Sequence, residues 1–146
     1  MANKLYIAYG SNLNLKQMAK RCPNAKVVGI GLLKDYKLTF RRVATIEKEK
    51  GAETPVGVWE ITPADERMLD IYEGYPHLYR KETVAVALGK ETVEAMVYIM
   101  NEGKPALPYN EYYQTILEGY EDVGLDPKYL QAAFDDTEKR IRANQT

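Results

Sequence analysis

Apolar and polar positions change period several times along the chain, and each change marks an element. Lys4 to Tyr9 is a run of apolar, aromatic and β-branched residues that predicts a strand. Asn14 predicts the N-cap of a short helix that runs to about Arg21, with Gln17 in the capping-box position and Pro23 ending it. Lys26 to Arg42 reads as a long extended stretch broken at Gly29 and Gly31, and Ala44-Thr45-Ile46 continues the sheet. Glu47 to Thr54 reads as a charged surface turn, followed by a strand over Val56–Ile61. Thr62-Pro63 opens a helix with Asp65 and Glu66 in its first turn, Met68, Leu69, Ile71 and Tyr72 as its apolar stripe, and Gly74 as its stop. Tyr79–Leu88 and Thr92–Met100 predict a hairpin across Gly89-Lys90-Glu91. Asn110 starts a helix with Tyr112, Tyr113, Ile116, Leu117 and Tyr120 on one side. Asp126-Pro127 starts the last helix, with Leu130, Ala133, Phe134 and Ile141 as its inward stripe.

Some six or seven strands with helices inserted singly do not give a β-α-β alternation. The expected class is therefore α+β, a small mixed, barrel-like sheet with helices packed on it. Residues 1–146 read as a single domain, without internal repeat, linker or low-complexity tract, and long enough to bury a core. A net charge of −1 offers no general attraction to nucleic acid, and Lys20-Arg21 and Arg41-Arg42 read as short, solvated pairs. No apolar run approaches the ~20 residues of a membrane span. The first strand begins almost at once, with no signal-peptide pattern, and the single Cys22 excludes an internal disulfide, so a cytoplasmic setting is expected. Cys22 and the single His77 are too few for a zinc site. Cys22 precedes Pro23 at a helix end, which is no place for a nucleophile–base pair, so both residues read as structural. No metal is expected.

Two places carry candidate chemistry. In Leu5-Tyr6-Ile7-Ala8-Tyr9-Gly10-Ser11-Asn12-Leu13 a strand runs into a small, turn-prone trio and then a helix start. Such a loop leaves backbone N–H groups unpaired, with the positive end of a helix dipole behind them, ready for a carboxylate, phosphate or oxyanion. The second is Glu73, in the last turn before Gly74. The negative end of the helix dipole and the rim of the apolar stripe would both raise its proton affinity, as a general base requires. The twelve tyrosines fit a half-buried sheet, and equally a cavity with an apolar wall and a polar ligand.

Tyr9-Gly10-Ser11-Asn12 after a first strand, with Leu69-Asp70-Ile71-Tyr72-Glu73-Gly74 about sixty residues later, resembles the gamma-glutamylcyclotransferase-like family. Val43-Ala44-Thr45-Ile46, Val56-Gly57-Val58-Trp59, Val97-Tyr98-Ile99-Met100, and Tyr112-Tyr113-Gln114-Thr115-Ile116 followed by Gly124-Leu125 add to the match, which covers Leu5 to roughly Leu130. The resemblance implies a small mixed β-barrel and release of 5-oxoproline from an L-gamma-glutamyl compound, the substrate's own α-amine attacking its γ-carbonyl. It implies Glu73 as the catalytic acid/base, Tyr6, Ile7, Ala8, Tyr9, Gly10, Ser11 and Asn12 as the substrate loop, Tyr98 and Tyr112 as pocket tyrosines, and no cofactor. Asn12 stands where glutathione-specific members have Leu, which places the chain with the branch acting on gamma-glutamyl dipeptides or amines. The only partner this implies is that small-molecule substrate; oligomeric state is left open. Two other readings are a non-catalytic binding module of the same fold for a small carboxylate or amine, and an interaction protein with a tyrosine-rich surface.

Overall fold

The computed structural model describes residues 3–145. Five strands and four α-helices follow one another as β1 (Lys4–Ala8), a 3-10 turn (Ser11–Leu13), α1 (Leu15–Arg21), β2 (Lys26–Arg41), β3 (Val43–Ile61), α2 (Pro63–Glu73), β4 (Tyr79–Leu88), β5 (Glu91–Met100), α3 (Asn110–Val123) and α4 (Lys128–Ala143). The sheet closes into a barrel in the order β1-β3-β2-β4-β5. Closure falls to Tyr6 and Met96, the register point at which β1 runs parallel to β5. Fold class is as expected, but the strands are fewer and longer than the six or seven anticipated.

The difference lies in β2 and β3. Arg42, with φ of 72°, makes a turn so tight that Arg41 pairs directly with Val43. From there the ribbon pairs through to Lys26 and Glu60, passing Gly29 and Gly31 with a register shift between Val27 and Gly29. Glu47 to Thr54 is therefore strand and not surface turn. Its Glu47 and Glu49 face Lys37 across the ribbon, at 3.6 Å and 3.2 Å from Nζ, and the same ammonium lies 3.3 Å from Asp136 of α4. A charged run can stay in a sheet when each charge meets an opposite one on a neighbouring element. Thr54, fully buried, donates from its hydroxyl to the Tyr36 carbonyl at 2.9 Å. The second ribbon, β4–β5, turns in two residues, Gly89 and Lys90, so β5 starts at Glu91.

Apolar residues of both ribbons fill the barrel with Phe40, Ile46, Val58, Ile61 and Val97, all buried. α2 closes one end. Its start is a full capping box, Thr62 Oγ1 accepting from the Asp65 N–H at 3.1 Å and Asp65 Oδ2 from the Thr62 N–H at 3.0 Å. Gly74, at φ 65°, ends it in the left-handed conformation. The expected inward stripe of α2 is corrected: of its four residues only Leu69 is buried, whereas Ile71 is 75% exposed and Met68 48%. Polar contacts hold the helix instead. Lys81 of β4 reaches Glu66 at 2.6 Å and Asp70 at 2.8 Å, Lys4 reaches Glu66 at 2.8 Å, and the Tyr98 hydroxyl donates to Asp70 at 2.5 Å.

α3 lies against the 3-10 turn with Ile116, Gly119 and Tyr120 buried, and α4 covers the ribbon with Leu130 and Ala133. Asn14 caps α1 by accepting from the Gln17 N–H at 3.1 Å. Gln17 does not complete the capping box, because its side chain instead accepts from Arg21 Nη2 at 2.7 Å. Cys22 is buried at the end of α1, its thiol donating to the Asp65 carbonyl; burial pushes it up to about 11. A thiol held protonated in this way suits the structural role read for it.

Candidate active site

A cavity of about 210 Å³ opens at the end of the barrel where β1 runs into the 3-10 turn. The walls come from elements far apart in sequence: Tyr6, Ile7, Tyr9, Gly10, Ser11 and Asn12 from β1 and its loop, Val43 and Ala44 from β3, Tyr72 and Glu73 from α2, Leu78 and Tyr79 at the entry to β4, Tyr98 from β5 and Tyr112 from α3. Six of the chain's twelve tyrosines line this space. The size suits a ligand smaller than a drug molecule, for which pockets of roughly 300–1,000 Å³ are usual.

Most of the tyrosine hydroxyls are tied to the frame. Tyr9 donates to the Tyr98 carbonyl at 2.7 Å and Tyr79 to the Ala44 carbonyl at 2.7 Å, while Tyr112 accepts from the Ala44 N–H at 3.0 Å. Tyr98 faces the cavity with its ring and spends its hydroxyl on Asp70. Burial pushes the phenols of Tyr6, Tyr9, Tyr79, Tyr98 and Tyr112 up, so all remain neutral donors or acceptors.

Among the described residues, Glu73 is the one charged residue that borders the cavity. It is half-buried, and loss of water around its carboxyl pushes it up to about 7, with the Arg21 charge pulling the other way. Leu69, one turn earlier on α2 and the neighbour expected to shelter Glu73, is fully buried, whereas Met68 and Ile71 of the same helix face solvent. Facing Glu73 is the Asn12 amide, whose Nδ2 donates to the Tyr6 hydroxyl at 2.8 Å and to Glu73 Oε1 at 3.5 Å. Ser11 Oγ and the Tyr72 hydroxyl share a hydrogen bond of 2.9 Å, a second tie between the loop and α2.

The loop itself differs from a plain strand–turn–helix. Its 3-10 turn uses the Leu13 N–H (to Gly10 O, 3.0 Å) and the Asn14 N–H (to Ser11 O, 3.0 Å), leaving the N–H groups of Gly10, Ser11 and Asn12 outside the turn's own bonds. The start of α1 is already satisfied by Asn14 and by Asp122, which accepts from the Leu15 N–H at 3.0 Å.

Of the residues singled out in the sequence, Tyr6, Ile7, Tyr9, Gly10, Ser11, Asn12, Glu73, Tyr98 and Tyr112 meet at this cavity. Ala8 does not border it; it is buried in the sheet, paired with Gly57. Sequence reasoning missed Val43, Ala44, Leu78 and Tyr79, which lie at or beside strand ends where only the barrel's closure brings them in, and Tyr72, read only as part of the apolar stripe of α2. It also missed Arg21, taken for one of a solvated pair. The guanidinium instead donates to Asn12 Oδ1 at 2.6 Å and stacks 3.5 Å from the centre of the Tyr72 ring. The signal available was its place one turn beyond Gln17 on a helix that starts directly behind the loop. Arg41 likewise pairs with Glu47 at 3.1 Å, and Arg42 donates to the Leu107 carbonyl at 2.7 Å.

A model of the family described as gamma-glutamyl cyclotransferase, AIG2-like, matches residues 6–119. The chain belongs to this family. The gamma-glutamylcyclotransferase of Homo sapiens is 30% identical to it over 142 residues, covering 87% of this chain and 75% of that protein. The Mus musculus gamma-glutamylcyclotransferase is 29% identical over the same coverage. A solved structure named gamma-glutamyl cyclotransferase superimposes with a TM-score of 0.81 at 28% identity, over 90% of this chain and 86% of that one. YkqA from Bacillus subtilis shares the fold, with a TM-score of 0.76 at 22% identity over all of this chain and 55% of its own. The cyclotransferase fold and enzyme class thus agree with what the two motifs implied. Among the described residues, no helix is long and apolar enough to cross a membrane.

Proposed function

We propose that this cyclotransferase releases 5-oxoproline from an L-gamma-glutamyl amine or amino acid, with Glu73 as general acid/base. The observation that carries the reading is a single carboxyl, raised to about 7, facing the Gly10–Asn12 loop across a small cavity. An α-ammonium is no nucleophile until it gives up a proton, and a carboxylate poised near neutrality takes one and can return it. The freed amine attacks the γ-carbonyl and forms the C–N bond of a five-membered ring. The tetrahedral oxyanion then collapses as the original C–N bond breaks; the ring nitrogen gives up its second proton, the proton held by Glu73 passes to the departing nitrogen, and the amine leaves as its ammonium form. The N–H groups of the loop supply donors for either the α-carboxylate or the oxyanion. A snug, largely buried wall keeps the chain of the substrate folded for ring closure, where much of the rate resides.

Because only the ionised carboxyl accepts a proton, kcat/KM is expected to rise with pH through an acid limb near 7. Below that limb it should fall about tenfold per pH unit. A pH profile of 5-oxoproline formation reads this; a limb near 4.5 would place the working base elsewhere.

Leaving-group choice follows from the border of the cavity. Leu78 and Tyr72, 48% and 43% exposed, stand on its solvent side with Val43, and among the described residues no Lys or Arg borders the space. Gamma-glutamyl amines are therefore expected to exceed glutathione by about tenfold or more in kcat/KM, since the carboxylate of the Cys-Gly leaving group finds no cation there. Equal turnover of glutathione in a competition assay would reverse this preference.

A further inference from the structure

Resting on the reading of Glu73 as the base, we propose that Arg21 is a positioning residue that fixes which face of the Asn12 amide is turned toward Glu73. Arg21 does not border the cavity, but it touches two of the elements that build it, the loop and α2, and a neighbour on its own helix. One guanidinium nitrogen donates to Asn12 Oδ1 at 2.6 Å, another to Gln17 Oε1 at 2.7 Å, and the plane lies 3.5 Å from the centre of the Tyr72 ring, one residue before Glu73.

The chemistry of the pair is one-directional. A guanidinium has donors only, so the atom of Asn12 that meets it must be the carbonyl oxygen. The amide is buried and cannot turn without abandoning that bond. Its NH2 group is thereby committed to the opposite side, where it donates to Tyr6 and to Glu73 Oε1. With the amide reversed, two carbonyl-type oxygens would face each other across the base, and the guanidinium would meet an NH2. Arg21 thus supplies Glu73 with a donor through Asn12 and with a positive charge through space. The other titratable groups around the carboxyl, among the described residues, are the hydroxyls of Tyr6 and Tyr9 from β1 and its loop, Tyr72 from α2, Tyr79 from β4 and Tyr112 from α3. Arg21 is the cation that acts on Glu73.

The test pairs Arg21→Met, which keeps the stem and removes charge and donors, with Arg21→Lys, which keeps charge but not the fork that spans Asn12 and Gln17. The Glu73 carboxyl carbon is titrated by NMR in the substrate-free protein, and kcat, KM and the pH profile are measured with a gamma-glutamyl amine. Arg21→Met is expected to move the Glu73 midpoint upward, the acid limb with it, and to lower kcat/KM by about 10- to 100-fold. Arg21→Lys is expected to leave the midpoint near the wild-type value yet still lower kcat/KM by about tenfold, and it serves alone should the Met variant not fold. An unmoved midpoint and unchanged kinetics, with only the melting temperature lowered, would reduce Arg21 to a packing role. Full rescue by Lys would show that charge suffices and overturn the orientation claim. Absence of 5-oxoproline from the wild type would fault the reaction assigned to Glu73, and the NMR midpoints would still decide the role of Arg21.

Discussion

Glu73→Gln is expected to fold, to bind a gamma-glutamyl ligand and to lose about 10²–10⁴-fold in kcat, the usual worth of a general acid–base group. The substitution keeps the shape of the side chain and an oxygen for Asn12, and takes away the only function that must change protonation. It should also make the protein more stable above neutral pH. Burial raises this carboxyl in the folded protein from an ordinary 4.5 to about 7, so the unfolded chain ionises first as pH rises. Wild type therefore loses stability from about pH 4.5 upward and has lost the full amount above about 7. Gln carries no such cost. The melting temperatures of the two proteins should coincide near pH 4 and separate in favour of Gln by pH 8, a trade of stability for activity. Calorimetry at the two pH values checks the sign; a Gln variant less stable at pH 8 would mean that the carboxylate is well accommodated and not held at raised proton affinity.

Gly119→Ala is the second large effect, and it acts from outside the cavity. In an ordinary exposed helix this change stabilises by roughly 0.5–1 kcal/mol. Here a Cβ would lie 2.7 Å from the Asn14 nitrogen, 2.8 Å from the Leu13 carbonyl carbon and 2.9 Å from Leu13 Cβ. Two of those atoms are backbone and cannot swing aside. α3 must back away from the 3-10 turn, or the turn must shift, and either displaces the loop that carries Ser11 and Asn12 relative to Glu73. Destabilisation of about 1–3 kcal/mol is expected from the overpacking. A loss of about 10²-fold in kcat/KM should accompany it, because displacement by about 1 Å can cost that much. Denaturant titration and steady-state kinetics read both numbers. A stabilised, fully active Ala variant would show that α3 and the turn slide past each other freely, contrary to the close approach described above.

The fold and most of the site could be read from the chain because both depend on short, local signals. The 3-10 turn follows from Gly10-Ser11-Asn12, the start of α2 from Thr62-Pro63 and Asp65, and its end from Gly74; each signal acts within one turn of backbone. The barrel class followed from strands without regular helical crossovers. What escaped was decided at long range. Glu47–Thr54 looks like a turn because its charges find Lys37 and α4 only once the ribbon and the last helix are in place. Ile71 and Met68 look inward-facing because their spacing is that of a buried stripe, yet α2 is held through Glu66, Asp70 and Lys81. Arg21 resembles any helix-end cation until Asn12 and Tyr72 are brought against it. In each instance the pattern was real, and a partner distant in sequence set its meaning.

The most direct test of the central claim is to quantify 5-oxoproline by mass spectrometry. Wild type and Glu73→Gln are each incubated with gamma-glutamyl amines, gamma-glutamyl dipeptides and glutathione. The account predicts product from wild type with amines or dipeptides, little from glutathione, and none above background from the Gln variant. Comparable product from Glu73→Gln would remove this carboxyl from the chemistry. No product from wild type with any compound, despite a ligand-induced rise in melting temperature, would make the cavity a binding site and not a cyclising one.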